Sequence, residues 1–436
     1  MKNLSQNTAF IVYYYKDNIY SFNALIGALE TDPYFDQFTI YFITKKEELI
    51  HNLKYIINKH KLIVVGISFF TTQLWEIYDL ITILKKRYKK KYLQKVIFLA
   101  GGPHPTGDPV GTLKLGFDII VVGEGEETII ELLKKIDLGN NYRKTKGIAY
   151  LNETNEYTFT GKRKSINLDE YPPFPIKNAK AGAIEITRGC PYICYFCQTP
   201  YLSGVYPRHR TIEVICRYVQ ELKNYYGDLT DIRFISPNVF SYGSLDGKTL
   251  NIPILEELLT KIKEIIAPNG RVFFGSFPSE VRPEHVTQET LSLVLKYANN
   301  DNITIGAQSG SQKILDLCHR DHTIDDVYNA VNLTIKSNLK INVDFIFGLP
   351  GESNEDIELT INLMKDLSKL GARIHAHSFI PLPQTPFEKK SAKHISEVYK
   401  KEMKNLISRG YAFGDWKRQE RIALKISKYL KNRELS

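Results

Sequence analysis

Short runs of β-branched and aromatic residues recur along the first 137 residues, at 10–15, 38–44, 62–68, 96–100 and 118–122. Longer amphipathic stretches, such as 72–89, separate them. Continuous apolar strands alternating with helices predict a parallel sheet covered on both faces. Ligands of such sheets bind beyond the C-terminal ends of the strands. Glycine-rich turns follow two of these runs: Gly101-Gly102-Pro103-His104 after the fourth and Gly123-Glu124-Gly125-Glu126 after the fifth.

The pattern changes over 138–180. Residues 147–151 and 157–160 flank Asn-Glu-Thr-Asn-Glu, which predicts a hairpin. Tyr171-Pro172-Pro173-Phe174-Pro175 excludes helix or inner strand, because proline fixes φ and lacks an amide hydrogen. We read 1–137 as a doubly wound, Rossmann-type sheet domain and 138–180 as a connector. Alternation resumes over 181–390, with strands expected at 183–187, 231–235, 272–276, 303–307, 342–347 and 375–380. Six strand–helix units predict an α/β fold of the (β/α)6 partial TIM-barrel type, with its site at the strand C-termini. A flat doubly wound sheet is the competing topology.

The length of 436 residues suits two or three domains. Apolar residues at 43% and charged residues at 24% exclude general disorder. No stretch of 18 uncharged apolar residues exists to span a membrane, and the first residues lack the pattern of a signal peptide. Five cysteines cannot build a disulfide scaffold, so a reducing cytoplasm is expected. The net charge is +10, and residues 391–436 hold 12 Lys/Arg against 5 Asp/Glu. That segment reads as a basic helical tail, either a solvated face or a docking surface for an acidic partner. The 27 tyrosines are too dispersed to form a stacking platform for nucleic acid.

Three of the five cysteines fall within Thr187-Arg188-Gly189-Cys190-Pro191-Tyr192-Ile193-Cys194-Tyr195-Phe196-Cys197. They follow the first strand of the second domain, at its C-terminal mouth. Soft thiolates select zinc, copper(I) or iron–sulfur clusters. A structural zinc needs a fourth protein ligand, and neither Cys216 nor Cys318 offers a second knuckle. His209 could complete a zinc site, although its spacing fits no usual finger. An iron–sulfur cluster on three thiolates instead leaves one iron open to a substrate. Cys216 reads as a small hydrophobe on a helix face.

The Cys-x-x-x-Cys-x-x-Cys spacing at the first strand of a barrel resembles the radical S-adenosylmethionine (SAM) enzymes. Gly306-Ala307-Gln308-Ser309-Gly310-Ser311 resembles the family's SAM-contacting turn. The segments Asp344-Phe345-Ile346-Phe347-Gly348-Leu349-Pro350-Gly351-Glu352 and Ile380-Pro381-Leu382-Pro383-Gln384-Thr385-Pro386 resemble its fifth and sixth strands. The N-terminal region resembles the cobalamin-binding domain of one large subgroup, and Leu168-Asp169-Glu170-Tyr171-Pro172-Pro173 resembles that subgroup's connector. The nearest likeness is to an archaeal group of unassigned substrate.

The resemblance implies a 4Fe–4S cluster on Cys190, Cys194 and Cys197. It implies SAM on the open iron, a 5′-deoxyadenosyl radical, and cobalamin as a further cofactor. Ser309 and Ser311 would hydrogen-bond the SAM ribose or carboxylate, with Gly310 letting the backbone approach; the same residues also suit a plain turn. Many relatives carry Gly-Gly-Glu after the second barrel strand. Here Ser236 and Asn238 stand there, and their carbonyls would serve. Gly101, Gly102, His104, Gly123, Glu124 and Gly125 would meet cobalamin. The first-strand loop, Tyr15-Lys16-Asp17-Asn18-Ile19-Tyr20-Ser21, lacks the histidine that ligates cobalt in many cobalamin proteins. Arg208-His209-Arg210 could meet an anion or stand as an exposed loop charge.

The reading is a cytoplasmic, cobalamin-dependent methyltransferase acting on an unreactive carbon, with no membrane or nucleic-acid partner. A ferredoxin or flavodoxin would supply electrons. The alternatives are radical chemistry without methyl transfer and a zinc-holding interaction protein. A methylthiotransferase is disfavoured, because that group carries three further cysteines in its N-terminal domain and residues 1–137 hold none.

Overall fold

The computed structural model describes residues 8–433. The chain divides into two compact units, Met1–Gly182 and Ala183–Ser436. In the first, β1 (Thr8–Tyr13), β2 (Thr39–Ile43), β3 (Leu62–Ser68), β4 (Val96–Gly101), β5 (Ile119–Val121), β6 (Ile148–Leu151) and β7 (Tyr157–Phe159) build one sheet. Its order is β2-β1-β3-β4-β5-β6-β7. The first five strands run parallel, and β6 and β7 are antiparallel. All of β1 is buried, as strands with helices on both faces must be. Helices Ile19–Leu29 and Glu126–Asp137 pack together and close one face over Phe10, Val12, Val64 and Leu99. The hairpin expected in the connector extends this sheet at the β5 edge. Strand order reverses between β1 and β3, the switch point of the sheet.

The second unit contains β8 (Ile184–Glu185), β9 (Thr187–Arg188), β10 (Arg208–His209), β11 (Asp231–Ile235), β12 (Arg271–Phe273), β13 (Asn302–Gln308), β14 (Lys340–Phe347), β15 (Arg373–Ser378) and β16 (Ala412–Phe413). One parallel sheet runs β8-β11-β12 and another β13-β14-β15-β16. Thr304 N donates to Gly275 O at 2.9 Å, and Val281 bridges Ile305, so the two continue one another. Spatial order follows chain order throughout. A doubly wound sheet would reverse direction, so the competing topology is excluded and a partial barrel remains.

Three local expectations change. The first barrel strand is not continuous: it breaks at Ile186, whose amide donates to Ile235 O at 3.0 Å while its carbonyl accepts from Arg210 N at 2.9 Å. Beyond the break, β9 leaves the barrel to pair antiparallel with β10. Arg210 is therefore 2% exposed rather than a loop charge. Its Nε donates to Glu185 O at 3.0 Å. Residues 397–432 hold two helices, Glu397–Ser408 and Trp416–Asn432, and β16 lies between them as an added strand. Trp416, Ile426, Tyr429 and Leu430 are buried, so the basic residues occupy the outer side of a docked helix.

Strand alternation sets the barrel's interior. Phe347 stacks on Tyr399 at 4.2 Å and meets Trp416 edge-on, which places it on the helix-covered face. Asn342, Asp344 and Ile346 consequently face inward. The register aligns Asp344 with His375 and Ile346 with His377.

Candidate functional site

The cysteine loop is built by backbone strain and long-range clamps. Gly189 has φ +96°, and a Cβ there would lie 2.4 Å from Tyr206 O. Only glycine fits both constraints, which frees the chain to turn out of β9 directly into Cys190. Cys190 N donates to Gly204 O at 3.0 Å, Cys197 N to Cys194 O at 3.0 Å, and Tyr195 N to Cys318 O at 3.0 Å. Phe387 N donates to Tyr195 O at 3.2 Å, and Gln198 Nε2 to Pro383 O at 2.9 Å. Tyr195 stacks on His319 at 5.4 Å. Tyr195 and Phe196 pack against Ile314, Cys318, Leu349, Phe379 and Phe387. Remote segments thus hold the loop on a dry apolar base.

Burial pushes the Cys190 thiol up to about 11, and the neighbouring Cys197 and Cys194 sulfurs add to the shift. Burial also raises Cys197, whose Sγ contacts the Thr199 hydroxyl at 3.4 Å. Cys190 and Cys197 thus each feel the charge of other sulfurs of the loop. Desolvated thiols that disfavour their charge individually are suited to a shared cationic centre. Arg320 supplies a compensating charge: Nη1 lies 3.7 Å from Cys194 Sγ, and Nη2 donates to Gly306 O at 2.9 Å. Arg282 lies 3.4 Å above the Tyr192 ring within the same loop.

His209 does not complete a zinc site. Its Nδ1 lies 2.9 Å from Thr187 Oγ1 and its Nε2 2.8 Å from Ser244 O, so both ring nitrogens are engaged. Cys216 is half-buried on the helix Ile212–Tyr226, and the charged groups acting on it are Lys261, Glu213, Glu257 and Glu264. A donor set of three soft thiolates on an apolar base with a nearby guanidinium fits an iron–sulfur cluster.

The other expected contacts are arranged differently. The Ser311 hydroxyl donates to Asp356 Oδ1 at 2.6 Å, and Gly310 N donates to Thr360 Oγ1 at 2.9 Å. Ser309 Oγ lies 3.3 Å from the same threonine hydroxyl. A Cβ on Gly310 would fall 2.5 Å from Thr360 Cα. This turn's side chains therefore brace the helix Asn354–Leu370. Ser236 Oγ accepts from Asn238 N at 3.3 Å, and Asn238 Nδ2 bonds His285 Nδ1 at 2.5 Å. Glu185 pairs with Arg188 at 2.7 Å.

In the first unit, the glycine turns meet at the strand ends. Gly123 N donates to Thr106 Oγ1 at 3.1 Å, and Glu124 accepts from Ile166 N at 3.0 Å. Gly125 starts the helix Glu126–Asp137. His104 is fully buried, stacked near Phe69 and 3.1 Å from Thr71 Oγ1. Gly101 ends β4, and Gly102 caps the short helix that carries His104. Over the ends of β1 and β3 the 15–18 and 69–73 segments are tied together: Gln73 Nε2 donates to Asp17 Oδ2 at 3.2 Å and Asn18 Nδ2 to Ser68 O at 2.9 Å. Glycine-rich backbone at the ends of β4 and β5 fits a large cofactor that needs close main-chain approach.

Sequence reasoning missed Arg320, Arg282 and the inward-facing Asp344, His375 and His377. The spacing-two polar positions 342/344 and 375/377 carry a signal only after the barrel topology assigns them an inner face.

Comparison with known families agrees with this geometry. The family model described as "Radical SAM superfamily" matches residues 184–364, and "B12 binding domain" matches 40–133. A tRNA-2-methylthio-N(6)-dimethylallyladenosine synthase of Petrotoga mobilis is 30% identical over 66% of this chain and 64% of its own. An uncharacterized methyltransferase of Pyrococcus horikoshii is 27% identical over 72% of this chain and 66% of its own. The chain thus spans about two thirds of the length of these relatives. Among solved structures, the radical SAM methyltransferase TsrM of Kitasatospora setae superposes with a TM-score of 0.69 at 14% identity, over 88% of this chain and 74% of that one. OxsB, a cobalamin-dependent SAM radical enzyme, gives a TM-score of 0.64 at 16% identity, over 83% and 52%. These two likenesses concern the fold. Among the described residues, no helix is long and apolar enough to cross a membrane. The three-thiol loop at the first strand of a partial barrel and the matching models show that the chain carries a radical SAM domain and a B12-binding domain, with a 4Fe–4S cluster, SAM and cobalamin as the cofactors.

Proposed function

We propose that this chain is a cobalamin-dependent methyltransferase of the cytoplasm that acts on an unreactive carbon. The observation that supports it most is a pairing on one chain: a loop offering three thiols without a fourth ligand, and a B12-binding sheet. Cys190, Cys194 and Cys197 hold the cluster. Bound there with SAM, and with cobalamin at the glycine-rich ends of β4 and β5, these cofactors supply the 5′-deoxyadenosyl radical and the methyl group.

The chain's own residues do the rest. Arg320 offsets the charge gathered on the thiolates. Thr199 turns its hydroxyl toward Cys197. The apolar base around Phe196, Leu349 and Phe387 excludes water, which a reactive radical requires. The 309–311 turn meets SAM through backbone, since its hydroxyls are bonded to the helix behind it. Ser236 presents its carbonyl at the second strand, whereas the Asn238 carbonyl already accepts from Ser241 N and Oγ; Gly101, Gly102, Gly123, Glu124 and Gly125 lie around the cobalamin site, with His104 buried behind them. Electrons come from a low-potential donor such as ferredoxin or flavodoxin, for which the basic outer side of the last helix is the docking surface.

Radical chemistry without methyl transfer is the second reading. Anaerobic protein with hydroxocobalamin, dithionite and SAM separates the two. Deoxyadenosine together with a cobalamin spectrum altered by the protein supports the methyltransferase. Deoxyadenosine without cobalamin binding supports the second reading. Zinc in place of iron overturns both.

A further inference from the structure

We propose that Asp344, His375 and His377 form a second metal site, on the inner face of the barrel. It would hold one divalent transition cation with positions left open for an oxygen or nitrogen donor of the substrate. The inference rests on these side chains alone and stands whether or not methyl transfer is the net reaction.

The parallel register of β14 and β15 sets Asp344 directly beside His375, and strand alternation returns His377 to the same face two residues later. His375 Nδ1 lies 2.9 Å from Asp344 Oδ1 and 3.2 Å from His377 Nε2. His377 Nε2 lies 4.0 Å from Asp344 Oδ2. An ion about 2.1 Å from each nitrogen and oxygen ligand requires donor separations of roughly 3.0–3.4 Å. The two separations at His375 Nδ1 match, whereas His377 approaches the other carboxylate oxygen, so a rotation of the Asp344 carboxylate must bring one oxygen within reach of both imidazoles. Among the described residues, this is the His/Cys/Asp/Glu group whose ligand atoms all lie within 4.8 Å of one another. Two imidazoles and one carboxylate on one triangular face suit Fe(II), Co(II) or Zn(II) rather than Mg(II) or Ca(II).

Hydrogen bookkeeping supplies a second, independent observation. Ser378 N donates to Gln419 Oε1 at 2.9 Å, which turns Gln419 Nε2 toward His377 Nδ1 at 3.2 Å. His377 Nδ1 must then accept, and its hydrogen resides on Nε2, aimed at His375 Nδ1. A neutral His375 Nδ1 can accept that hydrogen or donate one to Asp344, but not both. If it accepts, the 2.9 Å contact between His375 Nδ1 and the Asp344 carboxylate is left without a hydrogen. A cation satisfies all three lone pairs together. His377 then carries its hydrogen on Nδ1, and the Gln419 amide must turn its oxygen from Ser378 N to receive it.

The surroundings are prepared for such an ion. The Asp344 side chain is 5% exposed, whereas each histidine side chain is 29% exposed, so the carboxylate is held and the open side lies before the imidazoles. His375 is stacked on Phe413 at 4.4 Å with the rings 9° apart, which fixes its plane. Glu280 lies close enough to Asp344 for the two carboxyl groups to interact. The cysteine loop contributes no ligand here.

The test uses the full chain with Cys190, Cys194 and Cys197 all changed to Ser, so that thiolates cannot capture the probe. Co(II) is titrated anaerobically and followed by its visible d–d absorption, with Zn(II) as competitor. Saturation at about one equivalent is expected, His377→Gln and Asp344→Asn should abolish it, and Gln419→Leu should weaken it about tenfold. No saturable absorption, or absorption indifferent to His377→Gln, overturns the site. If the triple variant fails to fold, the cluster-loaded wild-type chain is equilibrated with Zn(II) and analysed for metal. One zinc beyond the cluster iron, lost in His377→Gln, supports the proposal, and equal zinc in both overturns it.

Discussion

Arg320→Met removes a positive charge from beside the cysteine loop while keeping an apolar chain of similar reach. The guanidinium lies 3.7 Å from Cys194 Sγ. Two unit charges at that distance interact by about 4 kcal/mol at an effective dielectric of about 20. Arg320 is only partly buried overall, although its Nε is shut off from solvent, so screening reduces this to about 1–2 kcal/mol. Because about 1.36 kcal/mol corresponds to one pH unit, losing the charge should move thiolate formation up by about one unit. Cluster assembly requires thiolates, and burial already raises Cys190 and Cys197. The assay is anaerobic reconstitution between roughly pH 7 and 10, scored as iron and sulfide per chain, with circular dichroism confirming the fold. The pH of half-maximal loading should rise by about one unit in Arg320→Met and by less than half of that in Arg320→Lys. Identical loading curves for wild type, Met and Lys would show that Arg320 merely packs, and the electrostatic argument would fail.

Other perturbations test the supports around the loop. Gly310→Ala would drive a Cβ to within 2.5–2.8 Å of backbone atoms of Thr360 and Leu359, so it should cost about 1–3 kcal/mol in denaturant titration. His209→Ala should lower stability by about 1–3 kcal/mol but leave iron loading unchanged, since both ring nitrogens serve Thr187 and Ser244; lost metal would favour a zinc site. Burial raises Glu352 from 4.5 to about 7 in the fold. Its contribution is therefore present below about pH 4.5 and lost as pH rises through about 7, and Glu352→Gln should retain up to about 3 kcal/mol that the wild type sheds across this window. Parallel pH–stability curves for the two would contradict that assignment.

How much could be read beforehand depended on whether the deciding interaction was local. Strands such as Leu62–Ser68 and Asp231–Ile235 are bounded by turn residues and apolar throughout or in alternation, and both ends agree with the sequence reading. The cysteine loop was legible because its ligands come from one short segment whose spacing is itself the signal. The break at Ile186 was not, since it depends on Ile235 and Arg210, residues about 25–50 positions away, drawing hydrogen bonds from both sides of one peptide. The hydrogen-bond partners of Ser309 and Ser311, Thr360 and Asp356, lie on the following helix, so the sequence around the turn does not disclose them. Asp344 and His375 are 31 residues apart, and only the β14–β15 register makes them neighbours. Arg320 and Arg282 fall in loops with no periodicity, so their convergence on the cysteine loop is wholly a product of tertiary packing.

The most direct test is electron paramagnetic resonance of the dithionite-reduced, anaerobically purified chain, recorded with and without SAM and accompanied by iron analysis. The wild type and Cys216→Ala should each carry about four irons per chain and a reduced-cluster signal that shifts when SAM is added. Cys194→Ala should carry neither. A wild-type signal that ignores SAM, or equal iron in Cys194→Ala and Cys216→Ala, would contradict the assignment of Cys190, Cys194 and Cys197 as the ligands of an open-cornered cluster.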